Sequence, residues 1–131
     1  MGIEQPYRLS VLAVVDEPAI LRAITSILTT AGFGVVGARH GVAGLEAFAK
    51  MPEAFNLVLA DVVMPRLGGI AMADEIRHIR PDIPIILMTA FSGVTISKMA
   101  NLKYPVIRKP FLPGDLMRIV FENIKTPHIG Q

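Results

Sequence analysis

The chain has 131 residues, of which 52% are apolar and 18% charged, with a formal net charge of +2 and no cysteine. This composition suits one packed domain, not a disordered segment, and the missing thiols exclude disulfides, thiolate metal sites and cysteine nucleophiles. Thirteen Lys and Arg are spread singly from Arg8 to Lys125, with Arg108-Lys109 the one adjacent pair, so the basic stripe of a nucleic-acid binder is missing. No apolar run approaches the roughly 20 residues of a membrane span, and Met1-Gly2-Ile3-Glu4-Gln5 does not read as a signal peptide. A cytoplasmic location and no membrane partner are therefore expected.

Residues 1 to 7 read as a loose lead-in. Leu9 to Val15 is a nearly continuous apolar strand, broken by Asp16-Glu17-Pro18. Pro18 fits the first turn of a helix, where its missing N–H costs nothing, and the acids suit that helix's positive end. Ile20, Leu21, Ile24, Ile27, Leu28 and Ala31 recur at helical spacing, and Gly32 is placed to end the helix. Phe33 to Ala38 reads as a second strand. Gly41 opens a helix with Leu45 and Phe48 on its apolar face, and Pro52 closes that region.

The stretch Asn56 to Pro65 is the centre of the chain. Leu57-Val58-Leu59 shows no alternation, which suits a strand covered on both faces, and it runs into one carboxylate, Asp61. Such a charge is costly unless it lies at the sheet's rim, near water or a cation. Gly68-Gly69 precede a third helix with Ile70, Ala73, Ile76 and Ile79 facing in. Pro81-Asp82 turn the chain into a strand at Ile83 to Met88 that ends at Thr89. Gly93 to Asn101 reads as a short helix weakened by β-branched Thr95 and Ile96. Val106-Ile107 form a brief fifth strand ending at Arg108-Lys109-Pro110. Leu116, Ile119, Val120 and Ile124 mark a last helix with Pro113 at its start, whose end should fray because Leu112 cannot cap it. Five of the seven methionines, Met64, Met72, Met88, Met99 and Met117, read as core filler, and His40, His78 and His128 as surface residues.

Five strands alternating with five helices predict a doubly wound parallel α/β sheet. Its connections are right-handed, so every strand's carboxyl end points the same way, and one rim gathers Asp16, Asp61, Thr89 and Lys109. Two carboxylates about 5 Å apart repel by about 3 kcal/mol at an effective dielectric near 20. Either one holds a proton or a cation sits between them. An all-oxygen set with open water positions suits Mg2+ or Mn2+, and the backbone C=O of Val63 can add a third oxygen. Asp61 could then attack phosphorus, with Lys109 pairing the phosphoryl oxygens and the Thr89 hydroxyl bonding one of them.

Asp16-Glu17-Pro18, Asp61 with Met64-Pro65 and Gly69, Thr89-Ala90 and Lys109-Pro110-Phe111 together resemble the receiver domain of two-component response regulators. The likeness spans roughly Leu9 to Asn123 and implies a flavodoxin-like (βα)5 sheet of strand order 2-1-3-4-5, a receiver domain at 8–125 and short tails at 1–7 and 126–131. It implies a non-enzymatic phosphoacceptor, with Asp61 taking phosphate from a histidine kinase or histidine phosphotransfer protein and signalling through protein–protein contacts. Lys109 and Thr89 serve the phosphoryl group in that reading, and Asp16, Asp61 and the Val63 carbonyl hold Mg2+. Receivers of this kind usually carry two consecutive acids after the first strand. Registering on Glu17-Pro18 puts Val15 at the first of them, so weaker metal binding follows unless Glu17 substitutes. Their switch aromatic usually lies three residues before the lysine, where Val106 stands, with Tyr104 two positions earlier. Arg80-Pro81-Asp82-Ile83-Pro84 and Val106-Ile107-Arg108-Lys109-Pro110-Phe111 are similar to receivers attached to hybrid sensor kinases.

These departures define the main alternative, a degenerate receiver that binds partners without phosphate. A phosphatase of the haloacid dehalogenase type would want a second Asp two residues after Asp61, where Val63 stands. A flavodoxin-like cofactor binder would want a Ser-, Thr- and Gly-rich loop after the first strand, where Asp16-Glu17 would repel an anion.

Overall fold

The computed structural model describes residues 8–90 and 103–124. Apolar runs pair into one five-stranded parallel sheet whose central strands are covered on both faces: β1 (Ser10–Val14), β2 (Gly34–Ala38), β3 (Leu57–Asp61), β4 (Ile85–Thr89) and β5 (Val106–Arg108), with β2 and β5 at the edges. The order is β2-β1-β3-β4-β5, as the resemblance to receiver domains implies. Among the described residues four α-helices cover it: α1 (Pro18–Thr30), α2 (Gly41–Lys50), α3 (Gly69–Ile79) and α4 (Pro113–Asn123). The helix expected at 93–101, and Met99 within it, lie outside the described residues. No helix among the described residues is long and apolar enough to cross a membrane.

Strand alternation divides the core in two. Val11, Ala13 and Val15 join Leu59, Met88 and Ile107 beneath α1 and α4, whose Ile24, Leu28, Leu116 and Val120 complete that cluster. Leu12, Val14, Val58, Ala60 and Leu87 face the other way, onto Phe48 of α2 and Met72, Ala73 and Ile76 of α3. Each face thus buries its own alternate set of strand residues.

The helix ends follow from local chemistry. Past α1 the chain turns at Gly32, whose φ of +99° puts it in the left-handed region as its placement predicts. Phe33 N–H donates to Leu28 C=O and Gly32 N–H to Thr29 C=O, the paired bonds of a Schellman ending. At α4 the expected fraying is corrected: Asp115 Oδ2 reaches back and accepts from Leu112 N–H at 3.0 Å, so a residue inside the helix does what Leu112 cannot. His40 is likewise more than a surface residue. Its Nδ1 accepts from Ala43 N–H at 3.1 Å and caps α2.

Two inward assignments are also corrected. Ile79 is 43% exposed because Met72, with Ala73 and Ile76, forms the buried face of α3, and Ala31 is exposed at the end of α1. The fourth strand starts at Ile85, later than Ile83, because Pro84 breaks the N–H pattern while its carbonyl still accepts from Val58 N–H.

Tyr104 enters the core from the chain leading into β5 and is 6% exposed. Its hydroxyl donates to Asp74 Oδ1 of α3 at 2.5 Å, and the Arg77 guanidinium lies 5.2 Å from its ring centroid. Burial first, then the Asp74 bond and charge, push the Tyr104 hydroxyl up to about 12. Asp74→Asn removes the charge and leaves the hydroxyl a weaker, neutral amide acceptor. Absorbance titration of the tyrosinate should therefore show Tyr104 ionising at lower pH, still above the ordinary 10.0 because burial remains.

Candidate functional site

The last residue of β3 carries the site. Asp61 pairs in register with Met88 of β4, and its neighbour Ala60 with Val14 of β1, so Asp61 stands at the carboxyl end of the central strand. Its carbonyl region packs under α3: Gly69 N–H donates to Val62 C=O at 2.9 Å. The intervening loop passes through Arg66 at φ +66°, a left-handed conformation that a non-glycine residue adopts at a cost of about 1–3 kcal/mol.

Asp61 is only 2% exposed. Its Oδ1 accepts from the Lys109 ammonium at 2.8 Å, a bond spanning the sheet from β3 to the end of β5. A backbone bond helps hold Lys109 there, its N–H donating to Thr89 C=O at 2.8 Å. The following Lys109–Pro110 peptide bond is cis. Lys109 also faces Glu17 Oε1 at 3.7 Å. The other oxygen of the central carboxylate, Asp61 Oδ2, is buried and has no hydrogen-bond partner among the described residues. Burial therefore dominates and raises the Asp61 pKa; the Lys109 bond and charge pull it back, and the charges of Asp16 and Glu17 push it further up.

Of the residues read from the sequence, Asp61 and Lys109 are in direct contact and Asp16 is close enough for its charge to be felt at Asp61. Thr89 is buried at the end of the neighbouring strand, one position beyond Asp61's register partner. Val63 exposes 62% of its surface in the loop after β3, so its carbonyl is the one group it could offer an ion. Val15 is wholly buried in the apolar cluster under α1 and α4. Continuing the β1–β3 register by one step sets it beside Asp61 on the same face of the sheet, where no oxygen is supplied. Among the described residues no group of three His, Asp or Glu side chains is gathered tightly enough to hold a metal ion by itself. The unpartnered, buried Asp61 Oδ2, with Asp16 beside it, is nevertheless a donor set that fits a hard cation.

Two features escaped the sequence reading. One is the Tyr104–Asp74 bond, which has no local pattern. The other is an apolar groove of about 570 Å³ beside Lys109, lined by Ala19, Ile20, Ala23 and Ile27 of α1 and by Phe111 and Pro113. Its only signal in the sequence is that Ala19 and Ala23 lie one turn apart, which leaves α1 low on that side.

This geometry coincides with a family match: the response regulator receiver domain matches residues 11–121. The chain belongs to that family. Receiver domains are signalling domains of two-component systems, not enzymes in the ordinary sense. This receiver is 35% identical over 109 residues to the "Probable transcriptional regulator ycf27" of Porphyridium aerugineum, a match covering 81% of this chain and 44% of that protein. It is 30% identical over 118 residues to the "Sensor kinase CckA" of Brucella abortus, covering 88% of this chain and 12% of that one. The receiver thus spans less than half the length of either relative. A crystal structure of a response regulator receiver domain protein from Clostridium thermocellum is similar at a TM-score of 0.79 and 28% identity, covering 87% of this chain and 92% of that one. The flavodoxin-like order 2-1-3-4-5 is common ground between the sheet seen here and that family.

Proposed function

We propose that this receiver accepts a phosphoryl group on Asp61 from a histidine kinase or histidine phosphotransfer protein and signals through protein–protein contacts. One observation carries the reading: a buried carboxylate with one oxygen held by Lys109 and the other without a partner. The Asp61 carboxylate is the group that attacks phosphorus. The new O–P bond forms as the P–N bond of the donor phosphohistidine breaks, and the leaving imidazole keeps that electron pair and takes a proton. Lys109, already in place, offsets charge on the phosphoryl oxygens, and Thr89 at the same rim offers a hydroxyl to one of them. Asp16, Asp61 and the Val63 carbonyl would hold Mg2+ (or Mn2+). Bound there, the ion lets an anionic phosphoryl group approach a carboxylate.

Incubating the protein with acetyl phosphate and Mg2+ should add the mass of one phosphoryl group, labile to hydroxylamine. Asp61→Asn should add none. Equal labelling of both proteins sinks this assignment.

A second reading has its own support. Val15, buried where receivers usually place an acid, favours a module that binds partners without phosphate. The same experiment separates the two, since that module stays unlabelled while its partner binding survives Asp61→Asn.

A further inference from the structure

The position that β1 presents beside Asp61 is apolar, yet a carboxylate stands one turn of chain away and is not used by its own helix. Glu17 precedes α1 as its N-cap residue, with extended backbone (φ −96°, ψ 115°), and its side chain makes no capping bond. It turns instead toward the site, to 3.7 Å from the Lys109 ammonium, with 60% of the side chain exposed. At that exposure the ion pair contributes little to stability, so it does not hold Glu17 firmly where it is. Asp61 Oδ2, buried and unpartnered, lies in the field of both Asp16 and Glu17. The chain therefore brings three acids to this rim without gathering them.

We infer that Glu17 is the replacement for the acid missing at Val15: when Mg2+ enters beside Asp61 and Asp16, the Glu17 carboxylate leaves Lys109 and ligates the ion, directly or through one of its waters. This inference rests on the phosphoacceptor reading above and deepens it. Two consequences follow from one movement. The ion gains the negative charge that Val15 withholds, and Lys109 loses its second anionic partner and is left to Asp61 and an incoming phosphoryl group. Mg2+ tolerates this arrangement because it keeps several waters and is usually bound by only one or two carboxylates. Among the acids at this rim, Glu17 is the exposed one, since Asp61 is buried and Asp16 is half-buried.

The test is a Mg2+ titration of isotope-labelled protein followed by amide shifts and by the Glu17 side-chain carboxyl-carbon resonance. Wild type should show the Glu17 carboxyl resonance moving in step with the amides around Asp61. Glu17→Gln should weaken Mg2+ about tenfold or more while leaving the thermal midpoint unchanged, because the side chain caps nothing. Val15→Asp should tighten Mg2+, and in that background Glu17→Gln should cost much less, since two neighbouring groups then supply one role. If Val15→Asp does not fold, the carboxyl resonance and the single variant still decide. A Glu17→Gln titration that superposes on wild type, or a Glu17 resonance that stays put at Mg2+ saturation, overturns the inference. Should that happen while acetyl phosphate still labels Asp61, only the role of Glu17 falls. A wild type that neither binds Mg2+ nor takes up phosphate brings down the phosphoacceptor reading with it.

Discussion

Lys109→Met should slow phosphorylation of Asp61 by at least about 100-fold, the usual consequence of losing one positioned electrostatic donor. The variant removes the hydrogen bond and charge that hold the Asp61 pKa down, and leaves burial and the charges of Asp16 and Glu17, all of which raise it. Asp61 then takes up a proton more readily, and a protonated acid is a poor nucleophile. The same uptake limits the damage to the fold. Orphaning a buried charge typically costs about 3–5 kcal/mol, and Lys109→Met should cost less because Asp61 can neutralise itself.

The pH dependence has a definite sign. The folded-state pKa of Asp61 is raised above 3.8, so between 3.8 and the raised value the folded protein binds more protons than the unfolded chain. Stability from this group is fully present below 3.8 and is lost as pH rises through the folded value. Denaturant melts across acidic to neutral pH should show that decline in wild type, extended to higher pH in Lys109→Met and absent in Asp61→Asn. A Lys109→Met profile identical to wild type would mean that the 2.8 Å pair does not govern Asp61.

Gly69→Ala should be the most damaging single methyl on this rim. A Cβ there lands on the carbonyl oxygen of Asp61 and within 3.0 Å of Val62 Cα, which are backbone atoms at the end of the central strand. A flexible side chain could yield; this strand end cannot, because it is tied to β4 by the bond from Val62 N–H to Met88 C=O at 2.9 Å. We expect a loss of about 3 kcal/mol, at the upper end of overpacking costs, read as a fall in the urea midpoint. Phosphorylation should fall as well, since the clash pushes on the residue that bears the acceptor. A variant with wild-type stability would show that α3 can step back from the strand at no cost.

Most of the architecture was legible because it depends on local pattern. A run such as Leu57-Val58-Leu59 has only one way to hide both faces, and Pro18 and Gly32 mark helix ends by what their backbones permit. Parallel winding then carries the ends of all strands to one rim, which is why the sequence alone brings Asp61 and Lys109 together across 48 residues. The misplaced assignments share a different cause. Helical spacing places Ile79 and residue type places His40 and Leu112, yet each is decided by a neighbour: Met72 taking the buried face, Ala43 offering an N–H, Asp115 reaching back.

The amino-acid order alone determined the winding of the sheet, the strand that ends in Asp61 and the rim it shares with Lys109, because hydrophobic period and turn residues act over a few positions. Only the folded structure decided that Val15 is sealed in the core and that Asp61 Oδ2 has no partner. It also decided that Glu17 faces Lys109 and that Tyr104 is tied to Asp74. Those facts turn on distances of a few ångströms between side chains on different elements. Burial and Coulomb energy depend steeply on such distances, and sequence spacing carries no record of them.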